Sequence, residues 1–301
     1  MFLRFRSVIA LLGALPVLGL AALAHAQPGP TTPALPIAEI WGAILVTQPP
    51  EETTLNTHYV PAFTGQLVSG LGSQTLIVSG SGRAGFELGA AFYPAAHFGL
   101  EARLERFAPS LSGTSTPHDV AIIYLAKQPP AYELKQYSYQ RATDWDDPVG
   151  TVSLTTISAN AVLRAAVAPR VRITASGGLA IGRLGGTLDS VGYTVFSLGG
   201  HAVLFPDTAE IGLRFPTETR LGLNVGGGVD VVLGPRVALT AGWRWLLLGT
   251  AEPAAVARRV LNADEIPREI DIDDVRENLK VEGLSINLNR ARVVVGLKLA
   301  W

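Results

Sequence analysis

The chain lacks cysteine entirely and contains one methionine among its 301 residues. The absence of cysteine excludes a small secreted module held together by disulfides, and it excludes a lipid anchor on a cysteine after leader cleavage. Charged residues are scarce as well, at 16% of the chain against about 25% in ordinary soluble domains. Because 48% of the residues are hydrophobic, part of the surface is expected to face something other than water.

Long hydrophobic runs are also lacking, except for one at the amino terminus. Residues 8–23 are apolar, two arginines precede them, and an Ala-His-Ala triplet follows at residues 24–26. This order is typical of a cleaved secretory signal peptide, which we predict at residues 1–26. A transmembrane anchor is the alternative, but Pro16 interrupts the run. Proline-rich residues 27–36 are predicted to form an extended linker, and no later run could span a membrane as a helix.

The sequence does contain a series of strand-like segments, in which apolar residues alternate with polar or small ones. In the clearest segment, Phe98 and Leu100 fall on one face, while Glu101 and Arg103 fall on the other. The pattern predicts an all-β fold of eight antiparallel strands. They are expected at about residues 37–47, 82–93, 97–107, 151–166, 170–183, 219–233, 236–248 and 285–301.

The predicted connections alternate between very short and very long. Residues 94–96, 168–169 and 234–235 are tight turns made of proline, glycine and alanine. The four other connections are far longer than the loops of compact soluble domains. Short turns at one end and long loops at the other are typical of an up-and-down barrel in an outer membrane. Residues 193–205 could form a further hairpin, which would give ten strands instead of eight.

The last strand has a distinctive ending. Val293, Val295, Leu297, Leu299 and Trp301 alternate with polar or small residues, and the chain ends on the aromatic residue. This pattern resembles the closing strand of bacterial outer-membrane β-barrels, and the resemblance implies that these residues form the insertion signal.

Residues 37–301 as a whole resemble the small eight-stranded outer-membrane β-barrels of the OmpA and OmpX type. The resemblance implies a monomeric transmembrane barrel in the outer membrane of a diderm bacterium. Its implied partners are outer-membrane lipids, the barrel-assembly machinery during biogenesis and an extracellular ligand of the loops. No peptidoglycan-binding domain is expected after Trp301.

The composition of the strand faces predicts which face lies inside. The polar faces are rich in glycine, which suits a narrow interior better than an exposed surface. The apolar faces are therefore predicted to contact lipid, with an aromatic girdle of Phe92, Tyr93, Phe98, Trp243 and Trp245 near the strand ends. A soluble, lipocalin-like barrel is the alternative and requires the opposite orientation. The charged residues predicted to form a lumen network are Glu87, Glu101, Arg103, Glu105, Arg164, Arg172, Arg220, Asp230, Arg244, Arg292 and Lys298.

Eight strands enclose an interior just wide enough for side chains to fill it. We therefore predict a structural or surface-interaction protein that acts through long extracellular loops. The alternatives are a narrow channel gated by the lumen ion pairs and, less favoured, a lipid-modifying barrel enzyme. A net charge of −1 gives no electrostatic basis for nucleic-acid binding.

Catalytic and metal-binding motifs are absent from the sequence. No G-x-S-x-G, H-E-x-x-H or P-loop pattern occurs, and His58, His118 and His201 lie in different loops. The acidic residues at 264–274 do not have the spacing of a calcium-binding loop. We therefore predict no catalytic residues, no metal site and no cofactor.

Overall fold

A computed structural model describes residues 35–48, 51–59, 68–81, 84–115, 118–128, 131–141, 147–195, 207–252, 254–260 and 279–301. The predicted signal peptide and most of the predicted linker lie outside these residues. All regular elements in the described part of the chain are β-strands. The described residues include no helix that is long and apolar enough to cross a membrane.

Within the described residues, eight antiparallel strands close into one ring. Each strand pairs with its neighbours in chain order, and the first strand pairs with the last. This closure gives every wall strand a hydrogen-bonded neighbour on each side, as a sheet in contact with lipid requires. The wall strands are β1 (Ala38–Thr47), β2 (Ala84–Ala95), β3 (Phe98–Phe107), β4 (Val149–Ala168), β5 (Val171–Val195), β6 (Asp207–Val232), β7 (Val237–Leu247) and β8 (Arg290–Ala300).

The two ends of the barrel differ. At the end with the tight turns, Ile37 N donates to Trp301 O at 2.9 Å, and Trp301 N donates to Ala38 O at 3.1 Å. This is called the turn end, and the opposite end, where the long connections lie, is called the loop end. The eight-stranded prediction is confirmed, and the ten-stranded alternative is wrong. Of the residues assigned to the extra hairpin, 193–195 belong to β5, where Val195 pairs with Asp207 on β6, and 196–205 lie outside the described residues.

The polarity of the two faces is as predicted. Phe98 and Leu100 on β3 are 43% and 59% exposed, whereas Glu101 and Arg103 are 8% and 3% exposed. The soluble, lipocalin-like alternative is therefore wrong, because that fold requires an apolar interior. Residues of all the other wall strands extend the apolar outer belt: Ile40, Ile44, Leu88, Ile157, Leu179, Ile181, Leu221, Leu223, Leu239, Val293, Val295, Leu297 and Leu299.

The wall continues well beyond this belt at the loop end. Strands β4, β5 and β6 have 20, 25 and 26 residues, whereas a membrane-crossing strand needs about 9–11 residues. Further strands pair with their outer parts and with each other, so the described parts of the long connections form a continuous sheet. These strands are Thr53–Tyr59, Val68–Gly80, Ser110–Ser115, His118–Gln128, Ala131–Arg141, Val256–Val260 and Leu279–Glu282, and a separate pair is formed by Thr250–Ala251 and Ile286–Asn287.

The interior has two parts of opposite character. Toward the turn end it is filled mainly by charged and polar side chains, with a small apolar cluster that includes Leu45 and Val294 beside Trp41. Toward the loop end it is filled mainly by an apolar cluster, which we call the apolar cap and which packs by the hydrophobic effect; the buried Arg290 lies at the level of Leu246 in this part. The apolar cap includes Leu55, Leu76, Val78, Leu154, Leu184, Leu188, Leu213, Phe215, Leu246, Leu248, Ile286 and Leu288.

Candidate functional site

The polar interior is organised around Glu39, which lies at the turn end of β1 and is 2% exposed. Arg172 Nη1 donates to Glu39 Oε1 at 2.9 Å, and the Tyr93 hydroxyl donates to Oε2 at 3.2 Å. Arg164 Nη1 lies 3.5 Å from Oε1, and Lys298 Nζ lies 3.7 Å from Oε2. One carboxylate from β1 is thus shared by three cations from β4, β5 and β8.

Arg164 closes the turn end of the interior. Its Nε donates to Ala96 O at 3.0 Å and its Nη2 donates to Pro36 O at 2.5 Å. The guanidinium also lies 3.4 Å from the centre of the Tyr93 ring, a stacking geometry that arginine adopts on aromatic faces. The side chain therefore links β4 to the β2–β3 turn and to the segment that leads into β1.

A second cluster occupies the middle of the interior around Glu87 and Trp41. The Trp41 Nε1–H donates to Glu87 Oε1 at 2.6 Å, and Arg244 Nε lies 3.9 Å from Glu87 Oε2. The indole ring is also within 5.9 Å of the Arg103 guanidinium and 5.3 Å of Lys298 Nζ, which are cation–π distances. Trp41 thus joins the middle cluster to the Glu39 cluster.

Neutral polar groups complete the middle of the network. Arg103 pairs with Glu101 and donates to Ser176 Oγ at 2.9 Å. Asn160 Nδ2 donates to Glu101 Oε1 at 3.0 Å, and Asn224 Nδ2 donates to the Ser158 hydroxyl at 3.1 Å. Buried charges require partners of this kind, because an unpaired charge in a low-dielectric interior is strongly destabilising.

Two further ion pairs extend the network along the barrel axis. Lys298 Nζ donates to Asp230 Oδ2 at 2.9 Å on the turn side. Arg292 pairs with Glu105 on the loop side, where both side chains are almost fully buried. The polar interior therefore runs from the turn end to the base of the apolar cap.

No protein-family model matches the chain, and no curated protein matches its sequence. Comparison with solved structures gives OprG from Pseudomonas aeruginosa at 9% identity and a TM-score of 0.44, covering 90% of this chain and 98% of that chain. Ail of Yersinia pestis follows at 9% identity, a TM-score of 0.30 and coverages of 88% and 99%. Neisserial surface protein A has 14% identity, a TM-score of 0.29 and coverages of 86% and 97%.

The chain is similar to small outer-membrane β-barrels. The assignment itself rests on the molecule's own geometry: a closed ring, an apolar outer belt and a polar, filled interior define a transmembrane β-barrel of the outer membrane. In such barrels the short turns are periplasmic and the long loops are extracellular. The turn end is accordingly the periplasmic end, and the loop end is the extracellular one.

The structure brings ten of the eleven predicted lumen residues into the described interior, where each is buried. Arg220 is the exception. Its side chain is 40% exposed and pairs with Glu218, beyond the level at which β7 pairs with β6. Arg220 therefore does not belong to the membrane-level network.

The predicted aromatic girdle is corrected at one position. Phe92, Phe98 and Trp245 lie exposed on the outer wall, and Trp243 is half-buried on the same face. Tyr93 is 4% exposed and bonds to Glu39, so its assignment to the girdle is wrong. Proximity to a strand end suggested the girdle, but the alternation of β2 places Tyr93 on the inward face with Glu87. The predicted insertion-signal residues Val293, Val295, Leu297, Leu299 and Trp301 are all exposed on the outer wall.

Five buried residues of the interior were not among those predicted to form the lumen network: Glu39, Trp41, Ser158, Asn160 and Asn224. The alternation of β6 already places Asn224 on the polar face with Asp230, which was predicted to lie inside. The alternation of β1 carried a signal for Glu39, because it is the one charged residue in that strand. Ser158 and Asn160 had no comparable signal, since single asparagines and serines occur on both faces of strands.

The network carries a small excess of positive charge. Among the described residues at membrane level, the interior holds six buried cations and five buried carboxylates. The cations are Arg103, Arg164, Arg172, Arg244, Arg292 and Lys298. The five carboxylates are Glu39, Glu87, Glu101, Glu105 and Asp230.

Nothing in the described interior has the geometry of a catalytic or metal centre. The described residues include no group of three or more His, Asp or Glu side chains able to hold a metal ion. His97 lies at a periplasmic turn, with Nδ1 3.1 Å from Arg164 O. The side chains of His58 and His118 are not described, and His201 and the acidic residues at 264–274 lie outside the described residues. The absence of catalytic, metal and cofactor sites stays a prediction.

Proposed function

We propose that this protein is a closed outer-membrane barrel that anchors an extracellular β-sheet for surface interaction. The observation that supports this most is the double filling of the interior. The ion-pair network occupies the membrane-level part, and the apolar cap occupies the part above it. A solute crossing the barrel would have to disrupt both.

Both fillings resist opening for physical reasons. Removing one partner of a buried ion pair costs about 3–5 kcal/mol, and the Glu39 cluster joins three cations to one carboxylate. The aliphatic side chains of the apolar cap cannot replace the hydration shell of an ion, and burying an unpaired charge is strongly unfavourable.

The extracellular sheet supplies the surface for interaction. The strand Ala131–Arg141 pairs with His118–Gln128 alone among the described strands, so its other edge has no described partner. Strand edges without a partner in their own sheet can pair with extended segments of other proteins. The hairpin formed by these two strands joins the rest of the sheet through Val68–Gly80 and is separate from the ring.

Two measurements test this function. Planar bilayers that contain the full chain are expected to show no discrete conductance steps. Bacteria that display the full chain are expected to bind a panel of immobilised glycans and matrix proteins, and deletion of residues 118–141 is expected to abolish that binding. The control for an intact barrel is the gel migration of the deletion variant, which is expected to differ between heated and unheated samples. Equal binding by both variants would contradict the proposed role of the sheet.

A narrow channel is the second candidate. It is supported by the continuous polar interior from Glu39 to the Arg292–Glu105 pair, and it is opposed by the apolar cap. Conductance steps in the full chain that change in size on Glu101→Gln would favour the channel over the closed anchor. A lipid-modifying enzyme is a third and weaker candidate, because no described histidine lies in a serine–histidine–carboxylate arrangement.

A further inference from the structure

A row of polar side chains crosses the outer wall directly above the apolar belt. Arg106 on β3 pairs in register with Thr155 on β4, and Thr155 pairs with Arg183 on β5. Arg183 in turn pairs with Thr219 on β6. By the alternation of their strands, all four side chains point away from the interior, and both arginines are exposed. These four residues are called the arginine row.

The wall immediately below the arginine row is aliphatic. Leu104, Ile157, Ile181 and Leu221 form the next outward-facing row on the same four strands. All four are exposed, with Leu221 reaching 70%. In a membrane-spanning barrel this row contacts acyl chains, so the arginine row lies at the level where the acyl chains of the outer leaflet end.

The wall immediately above the arginine row carries hydroxyl groups. Ser153 on β4 pairs with Gly185 on β5, and further out Thr151 pairs with Thr187. Thr187 also pairs with Arg214 on β6. These outward-facing side chains are at least partly exposed, and hydroxyl groups with an arginine are suitable hydrogen-bonding partners for sugars. Over a few residues, the outer wall changes from aliphatic to cationic to hydroxyl-rich.

The two arginines of the row are available for a ligand. Neither has an ion-pair or hydrogen-bond partner among the described residues. They lie two strands apart, which is about 10 Å at ordinary strand spacing. Arginine binds phosphate through paired N–H donors, so the two guanidinium groups can engage two phosphates of one amphiphile or one phosphate from both sides.

We propose that the arginine row binds the phosphate groups of lipopolysaccharide in the outer leaflet. In this arrangement the acyl chains of its lipid A part lie on the aliphatic row, and its sugars lie on the hydroxyl-rich wall. The inference rests on the proposed function, in which the chain is a transmembrane barrel whose loop end is extracellular. A phosphorylated glycolipid fits better than a phospholipid, because polar wall continues above the arginines, where a phospholipid headgroup ends.

The test uses the full chain reconstituted in phosphatidylcholine vesicles, with bisphosphorylated lipid A as the probe. The double variant Arg106→Gln with Arg183→Gln is expected to bind lipid A at least tenfold more weakly than the unchanged chain. The matched control is Arg170→Gln with Arg236→Gln, which removes two exposed arginines at the periplasmic turns. This control is expected to retain the affinity of the unchanged chain. Dephosphorylated lipid A is expected to bind all three proteins equally weakly.

The outcomes separate this inference from the proposed function. Protease protection of the barrel in vesicles is measured first, and complete digestion would overturn the transmembrane orientation and the lipid site together. A protected barrel whose double variant binds lipid A as tightly as the unchanged chain would overturn the lipid site alone. Competition by phosphatidylglycerol at equal concentration would also overturn it, because the row would then recognise any anionic headgroup.

Discussion

Replacement of Glu39 by glutamine directly tests whether the interior network holds the barrel closed. The substitution keeps the size of the side chain and removes its charge. Lys298 keeps its contact with Asp230 at 2.9 Å, and Arg164 keeps two backbone carbonyl acceptors. Arg172 loses its one carboxylate partner among the described residues. The variant therefore leaves one buried cation without compensation.

The expected loss of stability follows from that single cation. Removing one partner of a buried pair costs about 3–5 kcal/mol. The lower figure applies here, because glutamine retains a carbonyl acceptor and the Arg172 side chain is 10% exposed. A loss of about 3 kcal/mol corresponds to roughly a hundredfold change in the folding equilibrium constant.

The assay is reversible urea unfolding in lipid vesicles, followed by tryptophan fluorescence. Trp41, one of five tryptophans, has its ring centre 5.3 Å from Lys298 Nζ and donates to Glu87, so its part of the emission reports on the network. The control is Glu218→Gln, whose pair with Arg220 is partly exposed to solvent and is expected to contribute less than the pairs of the interior, about 1 kcal/mol.

Adding Arg172→Met to Glu39→Gln removes the uncompensated cation and is expected to recover most of the lost stability, because apolar replacements of buried pairs are often neutral. A Glu39→Gln variant within about 0.5 kcal/mol of the unchanged chain, the range of ordinary surface changes, would refute the assignment of Glu39 as the centre of the network.

Two further predictions concern the interior and the outer wall. Gly89→Ala would place a methyl group against the indole ring of Trp41 and is expected to cost about 1–3 kcal/mol through overpacking. The control in the same urea assay is Gly234→Ala, because a Cβ added at Gly234 meets no atom within 4 Å. Because the chain has no native cysteine, single cysteines at Ile181 and Thr187 can carry a nitroxide label. A lipid-soluble relaxation agent is expected to raise the spin relaxation rate of the label at Ile181, and a water-soluble agent is expected to raise that of the label at Thr187. The reverse pattern would contradict the placement of the membrane boundary.

The strands that could be predicted from the sequence are those whose two faces differ in polarity. In β3, Glu101 and Arg103 oppose Leu100 and Leu104, and both the strand and its inward face follow directly. In β1 both faces are apolar or small except for Glu39 and the terminal Thr47. The partners of Glu39 could not be predicted there, because they depend on which side chains meet across the interior of a closed barrel.

Strands β5 and β6 were predicted too short at the loop end, for a different reason. The predicted ends at residues 183 and 219 coincide with the loss of regular alternation. The register of this hairpin shifts between Leu184 and Gly186 and again between Leu188 and Val191. Each shift changes which residues share a face, so a period-two pattern cannot be followed through it even though the strands continue.

The boundary between lipid and water also explains why the interior has two different fillings. Along β5, the inward residue Arg172 and the outward residue Ile181 belong to the membrane level, whereas the inward Leu184 and the outward Thr187 lie above it. Where the wall faces acyl chains, the apolar residues lie outside, and the interior can hold paired charges. Where the wall faces water, the hydrophobic effect places the apolar residues inside. The polarity of the two faces therefore reverses close to Arg183, and the arginine row and the apolar cap both follow from that reversal.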